Sequence, residues 1–140
     1  MNKQKGFTII ELIVVIAIIA VLAAIVLVNV TQYIAKGRDA AIKGNLSSIM
    51  TNAAAYFDAT PAGTGATFLL TAPVVQAEAA ITAAKGTPAH NGDAVDQDWC
   101  ACSTLATLNT TVYCVDGTGA KEETLASTCA VQCPAAGKCL

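Results

Sequence analysis

The sequence predicts an α+β fold in which one long N-terminal α-helix, hydrophobic in its first half and amphipathic in its second, packs against a small antiparallel β-sheet with a disulfide-stapled C-terminal region. Three observations lead there. A polar leader, MNKQKG, runs directly into an apolar stretch that continues as a segment with helical spacing. A β-branched run, Thr110–Val115, precedes a glycine-containing turn, Asp116–Gly119. All six cysteines fall at or beyond position 100. The chain accordingly divides into a leader (1–6), a hydrophobic helix (7–28), its amphipathic continuation (29–58), a connecting loop with a short helix (59–98), and a cysteine-rich antiparallel sheet with a tail (99–140).

The stretch Phe7–Val28, FTIIELIVVIAIIAVLAAIVLV, makes a helix roughly 33 Å long at about 1.5 Å per residue, enough to cross a hydrocarbon core of roughly 30 Å. Lys3 and Lys5 precede it, and Lys36 and Arg38 follow at a greater distance, so charge placement gives a modest preference for a cytoplasmic N-terminus. Ala23-Ala24-Ile25 imitates a secretory cleavage site. The apolar run is long for a signal peptide, however, and the sequence beyond it reads as continuous helix, which favours a retained segment.

Glu11 is the discriminating residue, because an unpaired carboxylate in lipid costs about 2.5–3.5 kcal/mol on insertion scales. A cut after Gly6 would place the new α-amino group of Phe7 four residues before Glu11, on the same helix face. The amine of a neighbouring copy is a second way to satisfy the acid. The bland alternative is a carboxylate at interfacial depth, where it costs little.

The segment Lys5-Gly6-Phe7-Thr8-Ile9-Ile10-Glu11-Leu12-Ile13 resembles the class III signal and N-terminal helix of the type IV pilins and of the pseudopilins of type II secretion. The resemblance implies cleavage between Gly6 and Phe7 by a prepilin peptidase, and N-methylation of Phe7. It further implies that Glu11 pairs with the Phe7 amine of an adjacent subunit as a helical filament assembles. The partners implied are other copies of the chain, the peptidase, an inner-membrane assembly platform, and the bilayer before assembly. The location implied is a single-pass inner-membrane state, then an extracellular or periplasmic filament. Many members carry a proline late in this helix; here Val28 stands in that place, and no proline occurs before Pro61.

Past Val28 the composition turns polar, but Ile42, Leu46, Ile49 or Met50, Ala53 and Phe57 recur at steps of three or four, forming a stripe that should lie against a globular body. Met50, Tyr56 and Phe57 fall at core spacing with no ligand-type side chain beside them. Tyr33, just beyond the apolar run, suits a headgroup or a neighbouring subunit. Gly37 and Gly44 weaken the helix interior without ending it. Pro61, Gly63 and Gly65 supply the stop, so the helix should run from about Phe7 to about Asp58. Pro73–Ala84 then reads as a short alanine-rich helix, and Asn91–Asp98 as an acidic loop.

Thr110–Val115 has strong β-propensity, with Ala101–Leu108 and Lys121–Cys129 as flanking strands. Cys100, Cys102, Cys114, Cys129, Cys133 and Cys139 suggest export, oxidation and three disulfides. Cys100 and Cys102 point the same way if extended, so each should reach a different partner, and Cys133 or Cys139 should staple the tail onto the strands. A four-thiolate zinc site lacks the paired knuckles that such sites use.

Chemistry is otherwise sparse. The sole histidine, His90, lies in a loop-like Gly-Thr-Pro-Ala-His-Asn-Gly segment, and no nucleotide-binding or hydrolytic pattern occurs. Asp93, Asp96 and Asp98 lack the spacing of a full calcium loop, and Asn109-Thr110-Thr111 matches a short glycosylation sequon. A net charge of −2 does not point to nucleic acid, although Lys85 and Lys121 could form a local basic patch. The expectation is a non-enzymatic pilin without cofactor or metal, the alternatives being a secretion pseudopilin and a monomeric, membrane-anchored, disulfide-rich binding module.

Overall fold

A computed structural model describes residues 6–108, 110–125, 128–134 and 137–139. The leader lysines Lys3 and Lys5 and the sequon's Asn109 lie outside the described residues. The chain forms two compact units, residues 1–34 and 35–140.

Helix α1 spans Ile9–Ala59. Its start lies two residues beyond Phe7 because Thr8 caps it: the Glu11 amide donates to Thr8 Oγ1 at 3.3 Å. It ends where expected, with the Thr60 amide returning to the Tyr56 carbonyl and the Gly63 amide to Thr60. Three further helices follow, α2 (Gly65–Leu69), α3 (Ala72–Ala83) and α4 (Cys129–Gln132). The alanine-rich helix is thus present as α3, with a proline in its first turn. The five-residue α2 lies where the sequence shows turn glycines; a reciprocal pair of hydrogen bonds between Thr64 and Thr67 closes it.

The four strands β1 (Pro88–Gly92), β2 (Trp99–Thr104), β3 (Thr111–Asp116) and β4 (Lys121–Leu125) form one antiparallel sheet in sequence order. Three strands were expected, and the fourth is β1. Its sequence, PAHNG, has low β-propensity, yet it pairs residue for residue with β2, from Pro88 opposite Ser103 to Gly92 opposite Trp99. His90 therefore sits on an edge strand rather than in a loop, and Asn91 and Gly92 are strand rather than acidic loop. Gly65 and Gly92 allow α2 to lie on β1, since a Cβ on Gly92 would stand 2.5 Å from the Gly65 carbonyl carbon. The strand expected over Ala101–Leu108 starts earlier, at Trp99, and stops at Thr104, because the next residues turn toward α1. The last strand stops at Leu125, and Cys129 belongs to the helical turn α4 rather than to a strand.

Alternation along β2 and β3 sorts the body into two layers. On one face Trp99, Ala101 and Val115 join Ile42, Leu46, Ile49 and Ala53 of α1, with Phe68, Val74 and Ile81 from the shorter helices. Met50, Tyr56 and Phe57 pack at the edge of this core, and the rings of Tyr56, Phe57, Phe68 and Trp99 stand 5.2–5.6 Å apart, centroid to centroid. On the other face Cys100, Cys102, Val112 and Cys114 meet the tail. The sulfurs join as Cys100–Cys133, Cys102–Cys129 and Cys114–Cys139, with Cα–Cα distances of 5.6, 5.8 and 6.0 Å. Each closes a loop of 25–33 residues, for which loop entropy alone gives about 3.5 kcal/mol.

Two carboxylates whose distant partners the sequence does not announce fasten the body. Asp39 on α1 accepts the amides of Ala106 (2.6 Å) and Thr107 (3.1 Å), pinning the β2–β3 loop to the helix. Asp116, at the end of β3, accepts from the Thr118 hydroxyl and amide and the Ala120 amide on one oxygen, and from the Cys139 amide on the other. Burial pushes its pKa up, but the hydrogen bonds from Thr118, Cys139 and Ala120 outweigh that and hold it below the usual carboxylate value.

Two measurements follow. Peptide mapping of the non-reduced protein should return the three linkages above and no other pairing. Because the Asp116 pKa is depressed in the folded state, its contribution is present above the unfolded carboxylate pKa and is lost as pH falls through the folded value. Asp116→Ala should therefore lower stability at neutral pH by roughly 2 kcal/mol and reduce its loss in acid, read by denaturant melts of the detergent-solubilised chain at several pH values.

Candidate assembly site on the N-terminal helix

From Ile9 to Leu27 the side chains of α1 are apolar apart from Glu11, and none of them is buried among the described residues. Phe7 is 84% exposed, Ile10 75% and Leu12 60%. Leaving so much apolar area in water would forfeit roughly 25 cal/mol per Å², so another apolar phase must cover this surface. By length and composition the helix is able to cross a membrane. Asn29 begins the polar continuation, its side-chain amide donating to the Ile25 carbonyl at 3.3 Å. Tyr33 is exposed.

Glu11 is held locally. Its Oε2 accepts from the Thr8 amide at 2.9 Å and from the Thr8 hydroxyl at 2.7 Å, while its own amide donates to Thr8 Oγ1. Thr8-Ile9-Ile10-Glu11 is thus a reciprocal capping arrangement, in which two backbone donors that no earlier turn can satisfy are taken by side chains. The carboxylate also lies in the first turn of the helix, where the peptide dipoles favour negative charge. Glu11 stands out in the sequence by its charge and Thr8 does not, although Thr-x-x-Glu ahead of an apolar run is a start signal. Gly6 and Phe7 precede the helix, and a Cβ added at position 6 would meet no atom of the described residues within 4 Å.

The remaining residues singled out in the sequence have structural surroundings. His90 Nδ1 lies 2.5 Å from Glu78 Oε1 of α3. Asp93 accepts the amides of Val95 (2.6 Å) and Asp96 (3.2 Å), and those two bonds, Val95 first, hold its pKa below the ordinary carboxylate value. Asp98 pairs with Lys138 at 3.2 Å. Among the described residues no three His, Cys, Asp or Glu side chains gather as metal ligands would.

A family model described as the prokaryotic N-terminal methylation motif matches residues 1–27. The N-terminal segment of this chain is thus similar to that of known pilins. Two curated pilins of Moraxella bovis agree with it: the type IV major alpha-pilin, 48% identical over 48 residues, and fimbrial protein Q, also 48% identical over 48 residues. Each alignment covers 34% of this chain and 30–31% of the relative, so the chain spans about a third of the length of the pilins it matches. No solved structure matches the chain significantly. The pilin likeness thus rests on the helix, and the body stands on its own geometry.

The capping arrangement of this N-terminal helix is testable. Thr8→Val removes the hydroxyl and leaves the backbone amide, and should cost about 1 kcal/mol at the helix start. Faster hydrogen exchange at the amides of residues 9–12 in detergent micelles would register the loss, with the body's amides unchanged.

Proposed function

We propose that this chain is a non-enzymatic structural subunit of a type IV pilus-like filament. In this reading a prepilin peptidase cuts between Gly6 and Phe7 and methylates the new terminus. The helix then resides in the inner membrane until an assembly platform transfers it into the core of a filament outside that membrane.

The observation that carries the reading is the bare apolar surface of α1, from Ile9 to Leu27, with one carboxylate near its head. Lipid and a bundle of identical helices are both apolar phases that cover it, so moving from one to the other conserves most of the burial free energy. What changes is the environment of Glu11. Thr8 supplies two hydrogen bonds but no compensating charge, whereas the Phe7 amine of a neighbouring subunit supplies a cation. That pairing gives a desolvated bundle a reason to add the next copy in one register.

The disulfide-bonded body supports a filament over a lone anchored module. Its α1 residues are committed to the core by one face only, Ile42, Leu46, Ile49 and Ala53, leaving the opposite face open to neighbours.

Glu11→Ala should leave cleavage and membrane insertion intact while reducing filament incorporation by about tenfold or more. Sheared-filament yield against membrane-extracted subunit measures it, and normal yield would count against the pairing. Substituting Gly6 with a bulkier residue should leave the leader attached, which mass spectrometry of the N-terminus resolves.

A further inference from the structure

An unpaired donor marks a second site, which does not depend on the filament reading. Trp99, at the start of β2, is 1% exposed, and its ring packs on that of Phe68 with 5.2 Å between centroids. Its indole N–H donates to no acceptor among the described residues, although a buried indole ordinarily finds one. Nor is it sealed in, as the unpaired hydroxyls of Thr111 and Thr124 are. Trp99 borders a cleft of about 430 Å³ between the second half of α1, the β1–β2 loop and the β3–β4 turn. Gly117 keeps the N–H edge of the ring uncovered there: a Cβ at that position would stand 3.0 Å from Trp99 Nε1 and 3.3 Å from Cδ1. The backbone does not call for glycine at 117, since the positive φ of this turn belongs to Gly119.

The rest of the lining narrows the chemistry of what fits. Met50 and Phe57 of α1 supply an apolar wall, while Gln97, Asp98 and Thr118 supply acceptors. One Asp98 oxygen pairs with Lys138 at 3.2 Å, and its side chain takes part in no other bond among the described residues. Gln97 commits Nε2 to the Pro61 carbonyl at 2.8 Å, which leaves its Oε1, and the Thr118 hydroxyl donates to Asp116 at 2.6 Å, which leaves its lone pairs. An ammonium ligand only donates, so it cannot satisfy the indole N–H. An anion accepts, but Asp58, Asp96, Asp98 and Asp116 are lining residues or their chain neighbours and outnumber Lys121 and Lys138. A neutral ring with hydroxyls on its rim and C–H groups on its face meets each requirement, because a hydroxyl both accepts and donates.

We propose that this cleft binds a neutral pyranose ring, with a ring or hydroxyl oxygen accepting from Trp99 Nε1, a hydroxyl donating to Asp98, and the C–H face against Met50 and Phe57. The residues of the cleft all belong to the unit formed by residues 35–140, so binding does not require the apolar half of α1 to leave its surroundings. A single ring in an open cleft of this kind should bind with a dissociation constant on the order of 1 mM.

Trp99 is the only tryptophan of the chain, so a nitrogen–proton correlation spectrum carries a single indole signal to report on the cleft. The test uses the full chain in a polyoxyethylene detergent, which has neither sugar nor charge. Glucose, galactose and N-acetylglucosamine, each free and as the methyl glycoside, are titrated against choline and inorganic phosphate. At least one sugar should move the indole signal saturably, and choline and phosphate should not. Equal response to a free sugar and its methyl glycoside would assign the end residue of a glycan, and response to the free sugar alone a monosaccharide. Gly117→Ala, which covers the N–H edge, should weaken binding at least about tenfold with disulfide content unchanged. Should that variant fail to fold, Asp98→Asn, at an exposed side chain, should weaken binding about tenfold by removing a charged acceptor. No saturable shift with any sugar up to about 50 mM, saturation by choline or phosphate instead, or wild-type affinity in a folded variant would overturn the proposal.

Discussion

The constraint on which the body depends is the two-residue period of β2 and β3. Trp99, Ala101 and Val115 point to one side and Cys100, Cys102 and Cys114 to the other, so a single pair of strands serves two kinds of cohesion at once. One side is held by burial against α1 and by the aromatic group around Phe68. The other is held by covalent bonds to a tail too short to bring a core of its own. A slip of one residue in either strand would put thiols against the helix and the indole against the tail, which is why the register is so strongly specified.

Much of this was legible in the residues. The long helix, its apolar half and the Ile42–Leu46–Ile49–Ala53 stripe follow from spacing alone, because a 3.6-residue period over many turns is hard to imitate. The alanine-rich α3 and the β3 strand were equally plain. The edge strand β1 was not, because PAHNG carries no strand preference and is extended only through its ladder with β2. The end of β4 was misplaced because the expected strand ran on to Cys129, whereas the disulfide to Cys102 joins that cysteine from a helical turn.

At the candidate site the sequence exposed the carboxylate and the apolar surface but not the local partner. Thr8 is an ordinary residue until its hydroxyl is seen on Glu11, and the T-x-x-E signal is weak when it precedes a segment already marked as membrane-crossing. Asp39 and Asp116 were invisible for a different reason. Asp39 collects the amides of Ala106 and Thr107, and Asp116 collects that of Cys139 beside the nearby Thr118 and Ala120, and no pattern along the chain announces the distant ones.

The order of the sulfur pairs has a consequence for resistance to proteases. Cys114–Cys139 straddles the ends of the loops closed by Cys100–Cys133 and Cys102–Cys129, so the three bridges interlock along the sequence. A protease that severs any one backbone bond between Cys100 and Cys139 leaves both fragments tied together, heavier by only the water it added. Damage of that kind nicks the body without shedding it.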